Sequence, residues 1–123
     1  MPVDDRAEAE TLTACRAVLG AAGGSALAPR PWQNERQPVS DGELVRLAAW
    51  KAADAEVDPG VLAAGLGLLT AARAELDQVE AALLFAARAG GMTFQEIAAA
   101  LGLGSGQAAQ QRMSRVLSRL AGS

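Results

Sequence analysis

The 123-residue chain has no histidine and no tyrosine, a single cysteine and a single lysine, and only four aromatic residues: Trp32, Trp50, Phe85 and Phe94. Without histidine, His/Cys metal sites and His-based catalytic triads are excluded. Cys15 alone forms no intramolecular disulfide. It falls on an apolar helix stripe and reads as a small buried hydrophobe rather than a redox sensor. No apolar run approaches the roughly 18 residues of a membrane span. The acidic N-terminal stretch lacks the apolar core of a signal peptide, so a cytoplasmic, nucleoid-associated protein is expected. The carboxylates are spread along helix surfaces, and no pair converges with a nucleophile or base. The chain therefore does not read as an enzyme, and neither cofactor nor metal is expected.

What is abundant is alanine. About half of the chain is apolar, but an alanine-rich core buries little area per residue. At roughly 25 cal/mol per Å² of apolar burial, a lone monomer is marginal, and self-association becomes attractive. The net charge of −3 does not mark a globally basic nucleic-acid binder. The distribution is uneven, however. Residues 1–56 carry nine acidic residues against six basic ones, whereas residues 91–123 carry Arg112, Arg115 and Arg119 against Glu96 alone. A local basic face, not the total, is what meets phosphate.

The pattern predicts an all-α protein of about five helices in two parts, residues 1–56 and 57–123. A first helix is expected over residues 4–19, capped by Asp4, with Leu12, Cys15, Val18 and Leu19 on one stripe. Gly20, Gly23 and Gly24 end it. Residues 21–38, "AAGGSALAPRPWQNERQP", hold three prolines and no period and read as a linker. Within it, Trp32 packs on the core or idles, and Arg30 offers an alternative role as a minor-groove arm. A second helix starts at Ser40, where Ser40 and Glu43 form a capping box and Val39 staples to Leu44. It is expected to reach Glu56, with Trp50 as a packing residue.

"VDPG" opens the next helix, with Asp58 as N-cap and Pro59 in the first turn. Leu62, Leu66, Leu69, Leu76, Val79 and Leu83 then recur at helical spacing up to Gly90–Gly91. A single helix of about 31 residues would be roughly 46 Å long and would overhang a small monomer. Its leucine stripe is thus the expected homodimer interface. Gly65 and Gly67 are its weak points, each costing about 1 kcal/mol relative to alanine.

The end of the chain, "MTFQEIAAALGLGSGQAAQQRMSRVLSRL", begins with a second capping box, Thr93 with Glu96, and a Met92–Ile97 staple. Phe94, Ile97, Ala98 and Leu101 form the buried stripe of a short helix. Gly102 ends it, Leu103 plugs the turn, and Ser105 caps a final helix whose inner face is Ala109, Met113, Val116, Leu117 and Leu120. A short helix, a tight glycine turn and a second helix form a helix-turn-helix, whose second helix can enter a major groove.

This stretch resembles the helix-turn-helix of sigma factor region 4. It is still more similar to a group of small actinobacterial DNA-binding proteins, in which an "ELD…E…AAR" helix leads into the motif. The resemblance covers roughly residues 70–120. It implies base-facing roles for Ser105, Gln107, Gln110 and Gln111 and phosphate-facing roles for Arg112 and Arg115. Ser114 and Arg119 lie alongside. The "GLGSGQ" turn is one residue longer than in sigma region 4, which leaves the reading line open between Gln111 and Gln110. The expected function is sequence-dependent binding of double-stranded DNA by a dimeric transcriptional regulator or chromosome-organising protein. The alternative is a protein-interaction module that docks on RNA polymerase, a sigma factor or another regulator.

Overall fold

The computed structural model describes residues 2–33 and 37–122, which are all-helical and contain no strand. Six α-helices run in order: α1 Pro2–Ala21, α2 Asp41–Lys51, α3 Pro59–Gly67, α4 Leu69–Ala89, α5 Phe94–Leu101 and α6 Gly106–Ala121. Among the described residues no helix is long and apolar enough to cross a membrane. The chain divides into two compact units, residues 1–73 and 74–123. The boundary falls inside α4, not at residue 56 as the sequence pattern implied.

The first unit is built on Leu19, Leu44, Ala48, Val61, Ala64 and Leu68, with Leu12 and Cys15 packed beside them. On α1 the buried row is therefore Leu12, Cys15 and Leu19, while Val18 faces outward. The helix starts at Pro2, ahead of Asp4, whose expected capping side chain lies outside the described residues. Ser40 caps α2 by accepting from the Glu43 N–H at 3.2 Å. The Glu43 carboxylate is taken by Arg30, whose Nε and Nη2 donate to it at 3.1 and 3.0 Å. Arg30 is thus tied to α2. Helix α2 stops at Lys51, before Glu56, because Asp54 turns the chain: its carboxylate accepts from Glu56 N–H and its carbonyl from Val57 N–H. Trp50, expected in the packing, is 72% exposed, and Trp32 is exposed as well.

The single long helix expected from Pro59 to Ala89 is two helices, interrupted at Leu68. Its two glycines explain why. A Cβ on Gly65 would lie 2.6 Å from the Ala48 Cβ, and one on Gly67 would lie 2.7 Å from the Cys15 Sγ. Bare backbone here lets α3 approach α1 and α2, at the helix-propensity cost of glycine. Leu68 is fully buried in the first core. The side chains buried along α3 and at its C-cap are Val61, Ala64 and Leu68, not the neighbouring row of Leu62, Leu66 and, at the start of α4, Leu69. Leu66 is exposed and Leu62 and Leu69 are half-buried. Both rows have helical spacing, and the sequence does not say which one turns inward.

The second unit packs Leu84 of α4 with Ile97 and Ala98 of α5 and Ala109 of α6. Met92, Phe94, Leu101, Leu103 and Met113 close the margins. Small residues at Ala98 and Ala109 let backbones come close.

Candidate nucleic-acid interface

Two terminations and one cap fix the start of α6. The end of helix α4 is closed by Gly91, two residues past Ala89, with φ +94°. There Met92 N–H donates to Ala87 C=O at 3.0 Å and Gly91 N–H to Arg88 C=O at 3.1 Å. Helix α5 repeats the device at Gly102, φ +73°. Leu103 N–H reaches Ala98 C=O at 2.8 Å, and Gly102 N–H reaches Ala99 C=O at 3.3 Å. These paired bonds are the Schellman closure, which favours glycine at the left-handed position. Between them the capping box forms in full: Thr93 Oγ1 accepts from Glu96 N–H at 3.1 Å, and the Glu96 carboxylate accepts from Thr93 N–H at 3.0 Å. The bond from the Thr93 backbone N–H foremost, and the Thr93 side chain second, hold the Glu96 carboxyl below its ordinary range.

Ser105 then caps α6, its hydroxyl accepting from Ala108 N–H at 3.1 Å. Gln95 adds a tie that sequence reasoning missed, its Oε1 accepting the Gly106 N–H at 3.3 Å. This joins the first turn of α5 to the first turn of α6. A side chain at Gly106 would crowd the Gln95 backbone at 3.1 Å.

Helix α6 buries Ala109 and Val116 and half-buries Met113, Leu117 and Leu120, as its pattern predicts. On its outer side Gln107, Gln110, Gln111, Ser114 and Arg115 are all exposed and line one shallow depression. No carboxylate lines it. Gln107, Gln111 and Ser114 follow at steps of four and three, so they share a face, and Gln110 and Arg115 flank it.

Arg112 and Arg119 do not join this face. Arg112 turns to α4, where its Nε and Nη2 donate to Glu80 Oε2 and Oε1 at 3.1 and 2.9 Å. Arg119 forms the same fork with Asp77, both bonds 3.2 Å. Glu80 raises the Arg112 pKa, first through that hydrogen bond and then through its charge. The carboxylate side chains are mostly covered, the arginines less so. Pairs of this partly exposed kind contribute on the order of 1 kcal/mol. They hold α6 to α4 and neutralise two of the three arginines of α6. The matching i,i+7 and i,i+3 spacings, 112/119 on one helix and 77/80 on the other, are the only trace of this in the sequence. Arg88 is engaged too: its Nη1 donates to Met92 C=O at 2.8 Å and its guanidinium lies 4.3 Å from the centre of the Phe94 ring. Arg115 has no partner among the described residues, and it is the free cation of α6.

Helix α4 carries a second apolar face. Leu76 and Leu83 are each 66% exposed and Val79 is 51% exposed, while Ala81 and Leu84 are buried. Among the described residues no cluster of potential metal ligands occurs. No family model, no curated protein and no solved structure matches this chain.

Proposed function

We propose that the protein binds double-stranded DNA in a sequence-dependent manner through α6, and does so as a homodimer joined along α4. One observation carries the DNA reading: an exposed, acid-free face of Gln107, Gln110, Gln111, Ser114 and Arg115 on a helix whose first turn is locked at both ends of a tight turn. Amides and guanidinium groups in such a row match the hydrogen-bonding edges of bases in the major groove. The resemblance of residues 92–120 to sigma region 4 points the same way. For the dimer, the support is the unpartnered row of Leu76, Val79 and Leu83 on the helix that anchors α6. A two-fold pair would present two reading helices to two half-sites.

The test is selection from a random duplex library, followed by sequencing of the bound fraction. An enriched inverted repeat supports reading, dimerism and a fixed half-site spacing together. Recovery of unenriched sequence, or of no duplex at all, overturns the proposal.

A second reading is favoured by the charge balance of the second unit. Glu75, Asp77, Glu80 and Glu96 offset Arg88, Arg112, Arg115 and Arg119, so little net attraction for phosphate remains. On that reading the polar face of α6 docks on a protein such as RNA polymerase or a sigma factor. Binding that is insensitive to salt distinguishes this case.

A further inference from the structure

Resting on the DNA reading above, the geometry points to a particular class of target: half-sites in which two or three adenines are read by glutamine and no guanine is required at those positions. The face offers three amides, one serine hydroxyl and one free guanidinium. A glutamine amide pairs bidentately with the N7 and N6 edge of adenine, whereas guanine is read mainly by arginine or lysine and cytosine by a carboxylate. The two further arginines that would read guanine are held by Glu80 and Asp77, and α6 contains no lysine or carboxylate at all. Arg115 sits at the flank, in the third turn of α6. Gln107 and Gln111 are about 6 Å apart along the helix, close to two base-pair rises of about 3.4 Å. The pair therefore suits adenines on neighbouring or next-neighbouring steps, and Gln110 reaches one beside them.

The same ion pairs explain how a neutral unit keeps its contacts specific. With Arg112 and Arg119 occupied, phosphate attraction common to all sequences is reduced, and the amide contacts weigh more in the total.

The probes are the intact protein and defined duplexes taken from the selected pool, measured by fluorescence anisotropy. Replacing the contacted adenine by guanine is expected to weaken binding roughly 5- to 150-fold. Replacing it by 7-deazaadenine, which keeps base pairing but removes the N7 acceptor, is expected to weaken binding as well. In Gln107→Ala or Gln111→Ala, each expected to fold because both side chains are exposed, the corresponding adenine should lose its advantage and 7-deazaadenine should make no further difference. Glu80→Gln should tighten binding to all duplexes alike and steepen the slope of log K against log salt by about 0.9 per arginine released to phosphate. Selected half-sites with an invariant guanine opposite Gln107 or Gln111, or adenines indifferent to 7-deaza substitution, overturn the adenine assignment while leaving DNA binding intact. An unchanged salt slope in Glu80→Gln overturns the withheld role of Arg112. Failure to bind any duplex removes the parent reading, and this inference with it, and is distinguished by the absence of all binding rather than by a wrong base.

Discussion

Leu83 and Leu84 are neighbours in α4 with opposite surroundings, and replacing each by alanine should give opposite results. Leu84 is 5% exposed and meets Ile97, Ala98 and Ala109. Its neighbours include alanines that have no long side chain to swing into a cavity. Leu84→Ala should therefore fall in the upper part of the usual range for buried leucine, about 3–5 kcal/mol. At about 0.05–0.15 kcal/mol per residue, the 50 or so residues of the second unit have roughly 2.5–7.5 kcal/mol in total. The substitution consumes about two-fifths of that or more, and α6 loses its anchor. Leu83 is two-thirds exposed, so Leu83→Ala should cost the fold less than about 1 kcal/mol. Urea titration at low protein concentration, followed by both circular dichroism and tryptophan emission, checks this. Both tryptophans, Trp32 and Trp50, lie in the first unit. Leu84→Ala should shift only the part of the helical signal that belongs to the second unit, and the emission transition should stay in place. Equal costs for the two substitutions, or a Leu84→Ala cost below about 1 kcal/mol, would refute the packing of α4 on α5 and α6.

Leu76→Asp and Leu83→Asp put a charge on the free face, so both should fold and yet sediment as monomers at micromolar concentration, where the parent is expected to sediment as a dimer. A parent that is monomeric throughout sinks the α4 interface. With Arg115 as the free cation of α6, a dimer should show a log–log salt slope near −2, about −0.9 per phosphate contact, and Arg115→Ala should flatten it while weakening all sequences alike. A slope near −5, from three arginines in each of two subunits at about −0.9 apiece, would mean that the ion pairs to Glu80 and Asp77 open on DNA. The Glu96 carboxyl is held below its ordinary range, so its cap is fully stabilising above the unfolded carboxylate value of about 4.3 and is lost as pH falls through the depressed one. Glu96→Gln should remove that portion of acid sensitivity from an acid titration of helicity. Gly102→Ala places a Cβ at φ +73° and should destabilise the second unit by about 1–2 kcal/mol in urea titration.

The local features of this protein were readable one residue at a time. Thr93 with Glu96, Ser40, Asp58 before Pro59, Ser105 and the left-handed Gly102 each act on atoms within a few residues, so composition and spacing suffice to place helix starts and stops. The inner faces of α5 and α6 were legible for the same reason, because each has one apolar row. Tertiary structure decided the rest. Helices α3 and α4 each carry two adjacent apolar rows, and only the approach of Ala48 and Cys15 to Gly65 and Gly67 shows which row of α3 turns inward and that the helix breaks at Leu68. The partners of Arg112 and Arg119 stand 32 and 42 residues away, beyond any helical period. An arginine's charge is a property of its own side chain. Whether that charge is free to meet a phosphate depends on which carboxylate the fold brings within about 3 Å.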